Sequence, residues 1–371
     1  MVSRGTPIRG DAPCLGSTWN NRRMPRHGSS GQRLSVTREV PIRRRLLARL
    51  QSHQSRFPII GARPLPKPRI VCIGMSALDA IYRVPAIPST PTKVLASGFT
   101  ECGGGMAANA SVAVARLGGD ACYWGRVGAD ALGDRILAEL AGDGVNVAGV
   151  RRIAGCISPS AAILVDDHGE RLVCAYNDPA LDTDPSWLPL ETLAHCQAVL
   201  ADVRWPEGSA AVFDAATRHG IPTVFDGDVG PREALLDLAQ RASHVVFSQP
   251  GLMHATGCTL PEQGLAAIAD AVRGVVGVTL GADGFLWREG GAERRTRAPR
   301  VKVVDTLAAG DVWHGAFTLA LAERQDVASA SRFANAAAAL KCSRSGGRRG
   351  APRRDEVAAM LAGASSAPNG N

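Results

Sequence analysis

Residues Asp305 to Phe317 read DTLAAGDVWHGAF. Two alanines and a glycine stand directly before Asp311, and an apolar helical pattern follows at once. A helix N-terminus carries unpaired N–H groups and a partial positive charge, and small residues let an anion approach that backbone closely. Ala308, Ala309 and Gly310 are therefore expected to aim N–H groups at a phosphate. Asp311, one step into the helix, is expected to be held ionised by the same field. A carboxylate beside such a nest can take a proton from an acceptor hydroxyl while the donors stabilise charge on a transferring group. The same tetrapeptide can also be a glycine turn with an aspartate cap. The surrounding chain decides between them.

Around this stretch short apolar runs alternate with helical patterns. "IVCIG", "QAVLADV", "PTVFDGDV", "HVVFSQP" and "GVVGVTLGADG" are β-branched, apolar and closed by polar or glycine turns. "MAANASVAVARLG", "ALGDRILAELAGDG" and "LPEQGLAAIADAVRG" lie among them with helical spacing. The alternation predicts an α/β fold, a mostly parallel sheet with helices on both faces and ligands beyond the C-terminal strand ends. Residues 82–102 and 160–178 break the pattern and read as antiparallel strands, the second a hairpin turning at "DDHGE", which together would form a small β-sheet lid. The domain is placed at 70–363, after the Pro-rich "ARPLPKPR", with 364–371 as a frayed tail.

The chain has 371 residues and 45% hydrophobic content, enough for one large α/β domain or two smaller ones. Its apolar runs fall well short of the roughly 20 residues needed to cross a bilayer, and no apolar stretch follows the early arginines as in a secretory signal. Residues 1–69 hold 15 Lys and Arg against 2 Asp and Glu, whereas 70–371 hold 27 against 32. The basic balance therefore belongs to the extension, which reads as disordered. A nucleic-acid-binding arm, a membrane-surface contact and a transit peptide are the other uses of such a segment. The nine cysteines show no C-x-x-C pair and no zinc spacing, which fits reduced thiols in a cytoplasmic protein. There is no G-x-x-x-x-G-K-[ST], no H-E-x-x-H and no G-x-S-x-G.

Asp305-Thr306-Leu307-Ala308-Ala309-Gly310-Asp311 resembles the second signature of the PfkB/ribokinase family of carbohydrate kinases. "GGGMAANASVAVARLGG" from Gly103, followed by "GRVGADALGD", resembles the first. The resemblance covers about residues 70–360 and implies a ribokinase-like fold. Within the family, "VLADVRWPEG", "FDGDV", "FSQPGL" and "LKCSRSGGRRGAP" look most like the sulfofructose kinase branch.

The resemblance implies roles residue by residue. Asp311 would be the base, and Ala308 through Asp311 the anion hole for the γ-phosphoryl group. Asp79, Gly104, Gly105 and Asn109 would hold the sugar, with Glu170 reaching it from the hairpin. Lys93 and Arg204 are the cations aimed at an anionic substituent. Thr279, Gly281 and Gly284 match the turn over ATP, and Asn335, Ala338 and Gly347 would lie near adenine. Met106 stands where relatives often have Lys. Ala175 stands where the sulfofructose branch places an Asn, with Asn177 two residues on and on the same face of a strand.

The family's Asn-x-x-Glu reads Ser248-Gln249-Pro250-Gly251 and lacks its Glu, so Asp226 or Asp228 would help waters position Mg²⁺. ATP and Mg²⁺ are the implied cofactors, with a monovalent cation such as K⁺ left open. The expected activity is transfer of the γ-phosphate to a primary hydroxyl of a ketose, possible substrates including 6-deoxy-6-sulfofructose. A ribokinase-type or nucleoside kinase, and a non-catalytic scaffold binding nucleic acid through the tail, are the alternatives. A homodimer through the lid is expected, because apolar lid faces commonly pair with a second copy.

Overall fold

The computed structural model describes residues 66–366, so the expectations for 1–65 and 367–371 lie outside the described residues. Thirteen strands occur among them. In chain order they are β1 (Arg69–Gly74), β2 (Ala77–Arg83), β3 (Gly98–Gly104), β4 (Asp120–Gly128), β5 (Asn146–Ile153), β6 (Ser160–Val165) and β7 (Arg171–Tyr176). β8 (Ala198–Asp202), β9 (Thr223–Gly227), β10 (His244–Ser248), β11 (Val275–Thr279), β12 (Phe285–Glu289) and β13 (Ala292–Thr296) complete the set. The helices are α1 (Met106–Arg116), α2 (Ala131–Gly142), α3 (Pro206–Arg218), α4 (Arg232–Arg241), α5 (Gln249–Thr256), α6 (Pro261–Ile268), α7 (Ala309–Ala322), α8 (Val327–Cys342) and α9 (Arg354–Ser366). The last helix runs past residue 363, where the domain was expected to end.

The main sheet has the order β13-β12-β11-β10-β9-β8-β1-β4-β5. Neighbours from β5 to β11 pair parallel, and only the β11–β12 and β12–β13 pairs are antiparallel. Alternate residues of each buried strand serve opposite faces. Ile70 and Cys72 of β1 pack with α1, α7 and α8, whereas Val71 and Ile73 pack with α3, α4, α5 and α6. The sheet is thus packed by an apolar layer on each face.

The small sheet has the order β3-β2-β6-β7. It departs from the expected lid in two ways. Its first strand begins at Ala77 rather than Tyr82, and residues 84–97 carry no strand. Moreover, β2 and β6 pair parallel, although both hairpins are antiparallel. Each strand of that pair follows a parallel strand of the main sheet, so both leave it in the same direction. Nothing local in the sequence records such a pairing. The eight cysteines among the described residues are free thiols, as expected. No helix among those residues is long and apolar enough to cross a membrane.

Candidate active site

Small residues at two chain junctions make room for the site. Gly105 caps α1 with φ +90°, and a Cβ there would meet the Met75 carbonyl at 2.4 Å, so no other residue fits without displacing backbone. A Cβ on Gly104 would lie 2.3 Å from Asp79 Oδ2. The space freed belongs to that carboxylate. Asp79 sits inside β2, the strand that follows β1, and its face of the small sheet carries Ala161 and Ala175 as cross-strand neighbours. Burial pushes the Asp79 carboxyl up to about 6, against the opposing pull of Arg348.

Arg348 was not anticipated from sequence. Its guanidinium is buried in the space where a side chain on Gly103 would stand, 2.0 Å from that ideal Cβ position. Glu139 and Asp143 lie 3.5 Å away, and Nη1 has no hydrogen-bond partner. Gly103, the first glycine of "GGG", is the sequence trace of this arrangement.

Asp202 was likewise missed. It is fully buried at the end of β8, where its Oδ2 accepts the Met75 and Ala107 N–H groups at 2.9 and 3.0 Å and its Oδ1 accepts the Arg204 N–H at 2.8 Å. One carboxylate thus ties β1, α1 and β8 together. An aspartate closing the apolar run "AVLAD" is the signal that could have found it.

α7 opens as expected, with a feature the sequence conceals. Ala308 adopts the left-handed conformation at φ 63°, a strained state for a residue with a Cβ. The Ala309 N–H turns back to the Thr306 carbonyl at 3.2 Å. Gly310 and Asp311 are then the residues whose first-turn N–H groups face outward. Asn109 Nδ2, from α1, donates to Asp311 Oδ2 at 2.7 Å, while Asn109 Oδ1 is buried without a partner. That orphaned oxygen is an acceptor waiting for a hydroxyl or amine.

The ionisation expected of Asp311 is not what its surroundings favour. Burial, followed by the negative field of Asp226, pushes its carboxyl up to about 8, outweighing the Asn109 hydrogen bond. The helix field is therefore not decisive here; desolvation and like charge win. Asp226 is itself raised well above the ordinary range by burial and by Asp228. His314 Nδ1 lies 3.4 Å from Asp226 Oδ2 and 2.9 Å from the Gly310 carbonyl, and burial lowers its basicity. Asp228 accepts the Ser248 hydroxyl at 2.6 Å, and that hydroxyl in turn accepts the Gly251 N–H at 3.0 Å. Ser248 thus caps α5 where the expected motif would begin. Among the described residues no three His, Cys, Asp or Glu side chains converge closely enough to ligate an ion by themselves.

Beside the nest lies a cavity of about 720 Å³, in the range of small-molecule sites. Thr279, Gly281, Gly284, Asn335 and Ala338 line it, next to Thr306, Ala309 and Gly310. Two of the expected residues are engaged in contacts of their own. Asn335 spends both ends of its amide inside the protein, accepting Trp313 Nε1 at 2.7 Å and donating to Thr296 and Arg297 carbonyls, so it braces the wall instead of offering free polar atoms. Gly347 is not part of the lining; its N–H donates to Asp305 Oδ2 at 3.1 Å.

The expected anion contacts divide. Arg204 is exposed at the end of β8, and its charge is felt by Asp202 and Asp226. Lys93 is exposed in the strand-free stretch, and the exposed Glu170 is tied only through its backbone to Asp166. Neither side chain meets a partner among the described residues. Asn177 lies beyond the end of β7 at Tyr176, so strand alternation does not place it beside Ala175.

The model of pfkB family carbohydrate kinases matches residues 67–354. A ribokinase of Bacillus subtilis (strain 168) is 29% identical over 297 residues, covering 79% of this chain and 99% of its own. A solved structure from Agrobacterium tumefaciens, assigned as a ribokinase, superimposes with a TM-score of 0.78 at 38% identity, covering 81% of this chain and all of that one. The Arabidopsis thaliana ribokinase complexed with ribose and ATP superimposes with a TM-score of 0.68 at 25% identity, covering 80% and 99%. The main sheet, its flanking helices and the small separate sheet are thus a ribokinase-like α/β fold, and the chain belongs to the pfkB family of carbohydrate kinases.

Proposed function

We propose that this kinase transfers the γ-phosphate of ATP to a primary hydroxyl of a ketose, with an anionic ketohexose such as 6-deoxy-6-sulfofructose as its acceptor. The observation that carries the transfer is the contact of Asn109 with Asp311 at the mouth of α7, next to a nucleotide-sized cavity. Asp79 would accept two sugar hydroxyls from the lid, and the unpartnered Asn109 Oδ1 would accept a third. With the acceptor so held, Asp311 takes the hydroxyl proton as the new O–P bond forms and the bond to the bridging β–γ oxygen breaks. Gly310 and Asp311 N–H groups, with the α7 dipole, offset the charge spreading over the transferring group. The low-dielectric surroundings strengthen those contacts.

Burial and neighbouring negative charge, that of Asp228 included, raise the carboxyls of Asp226 and Asp311, and one weakly basic histidine, His314, lies beside them. Such a group of carboxylates suits Mg²⁺, whose charge would favour their ionised forms; Asp226 and Asp228 would hold it through water, since among the described residues no three ligands converge. When bound, the ion neutralises the triphosphate.

Arg204 supports an anionic substituent, because an exposed guanidinium at a strand end can meet a sulfonate or phosphate with two donors. Lys93 would join it when the lid is engaged. A homodimer through the small sheet is supported by a cross-strand row on the face opposite Asp79. Phe99, Tyr82 and Leu172 in that row are 57%, 37% and 45% exposed.

Purified protein supplied with ATP, Mg²⁺ and a panel of 6-deoxy-6-sulfofructose, fructose, fructose phosphates, ribose and nucleosides tests the acceptor. The highest kcat/KM is expected on the anionic ketohexose. Preference for ribose would move the assignment to a ribokinase, in line with the relatives found, and preference for a nucleoside would remove the ketose reading.

A further inference from the structure

Lys341, in the last turn of α8, has no solvent exposure at all. Its ammonium meets the Asp305 carbonyl at 2.9 Å, Asp305 Oδ2 at 3.0 Å and the Arg344 carbonyl at 3.5 Å. An ammonium has three donors, and here three oxygens from two loops surround it. Asp305 is the first residue of the stretch that builds the phosphate nest. Its other contacts are the Leu307 N–H on Oδ1 at 2.8 Å and the Gly347 N–H on Oδ2 at 3.1 Å, and Val304 and Asp305 N–H both donate to the Cys342 carbonyl. Three residues after Asp305 comes Ala308, the strained left-handed residue, and then the cavity wall at Ala309 and Gly310. A strained conformation persists only where its surroundings over-determine it. The anchor at Asp305 is what does so on the N-terminal side of the nest.

Carbonyl and carboxylate oxygens gathered from two loops are the ligand set that a free monovalent cation would take. Here the protein's own side chain fills it. Resting on the kinase reading above, we propose that Lys341 is a tethered cation that holds the phosphate nest in its binding form, so that nucleotide binding and turnover need no added monovalent cation. It is a positioning residue, since it touches the Asp305 loop and not the cavity.

Lys341→Met tests this, because it removes the charge and leaves a space about the size of an ammonium. ADP binding is measured by calorimetry for the full-length wild type and variant in choline chloride, and then with KCl or NH₄Cl in its place. Wild-type affinity is expected to be the same in all three salts. The variant is expected to lose about tenfold or more in choline, the scale of a lost charge-assisted contact, and to recover with NH₄⁺ or K⁺. A wild type whose ADP affinity or turnover rises tenfold with K⁺ over choline overturns the proposal. So does a variant as tight as wild type in choline, or one that is weak and rescued by no cation, which would make Lys341 a packing group. If the variant does not fold, the wild-type salt series decides alone. Because ADP binding is measured with no sugar present, failure to phosphorylate any sugar would count against the kinase reading and leave this test standing.

Discussion

The C-terminal edge of the main sheet and the small sheet bring the same substrate together in this reading, yet the protein finishes them to different degrees. At the sheet edge Asp202 is buried with three N–H donors, Asp226 faces His314, and Asn109 already holds Asp311. In the small sheet every residue of β7 is exposed, and Lys93 and Glu170 meet no partner among the described residues. Groups that stabilise developing charge must be positioned beforehand, because reorganising them during the reaction would cost what they contribute. An exposed cation loses little by waiting in water, since its contacts there are worth little. In this reading the chemistry is prebuilt at the packed edge of the main sheet, while recognition is left to a part that substrate would complete.

The largest effect should come from breaking the prebuilt side. Asp311→Asn is expected to lower kcat by about 10² to 10⁴ with KM little changed, as for loss of a positioned base; steady-state kinetics at saturating ATP checks it. Wild-type turnover would remove Asp311 from the reaction. The same carboxylate is raised from 3.8 to about 8, so it must lose its proton before it can accept one. Accordingly kcat/KM should climb with pH up to about 8, with a steeper fall below about 6, where Asp79 also takes up a proton. The stability sign is the reverse. A carboxyl raised in the folded state costs stability as pH rises from its ordinary value through about 8, and that cost is absent below both. Asp311→Asn should therefore raise Tm above pH 8 while destroying activity, which a calorimetric scan at pH 8.5 reads.

Next in size is the boundary between the two regions. A charge-assisted contact from Arg is worth about 1.5–3 kcal/mol, so Arg204→Ala should raise KM about tenfold to a hundredfold for an anionic ketose and barely touch fructose. Equal losses on both sugars would assign Arg204 to the prebuilt side.

Smaller still is the effect expected in the open region. Leu172→Asp puts a charge in the exposed apolar row of the small sheet. It should convert dimer to monomer in sedimentation velocity, with kcat unchanged. A wild type that is already monomeric would break the proposed interface. Least of all is expected from removing residues 1–65, which should leave kcat and Tm as they were. The cut must stop there, because Arg69 belongs to β1, where its N–H donates to Gln197 and its guanidinium pairs with Asp120. A collapse in expression of that truncation would show the basic extension to be part of the fold.

Sequence alone determined the fold class, the strand and helix alternation and the two glycine-bearing signatures. These follow from local regularities: a buried parallel strand must be apolar on both faces, and a backbone that approaches an anion must be small. Through the resemblance of those signatures it also singled out Asn109 and Asp311, which meet at the start of α7, and Asp79, which fills the space left by Gly104. The tertiary structure decided what depends on distance between remote segments. It set the protonation of Asp311 through Asp226 and burial, turned Asn335 inward, moved Gly347 from the cavity to Asp305, and paired β2 parallel with β6. It also enclosed Lys341 among the oxygens of Asp305 and Arg344. Desolvation and like-charge repulsion act through space, so a residue's neighbours along the chain carry no record of them.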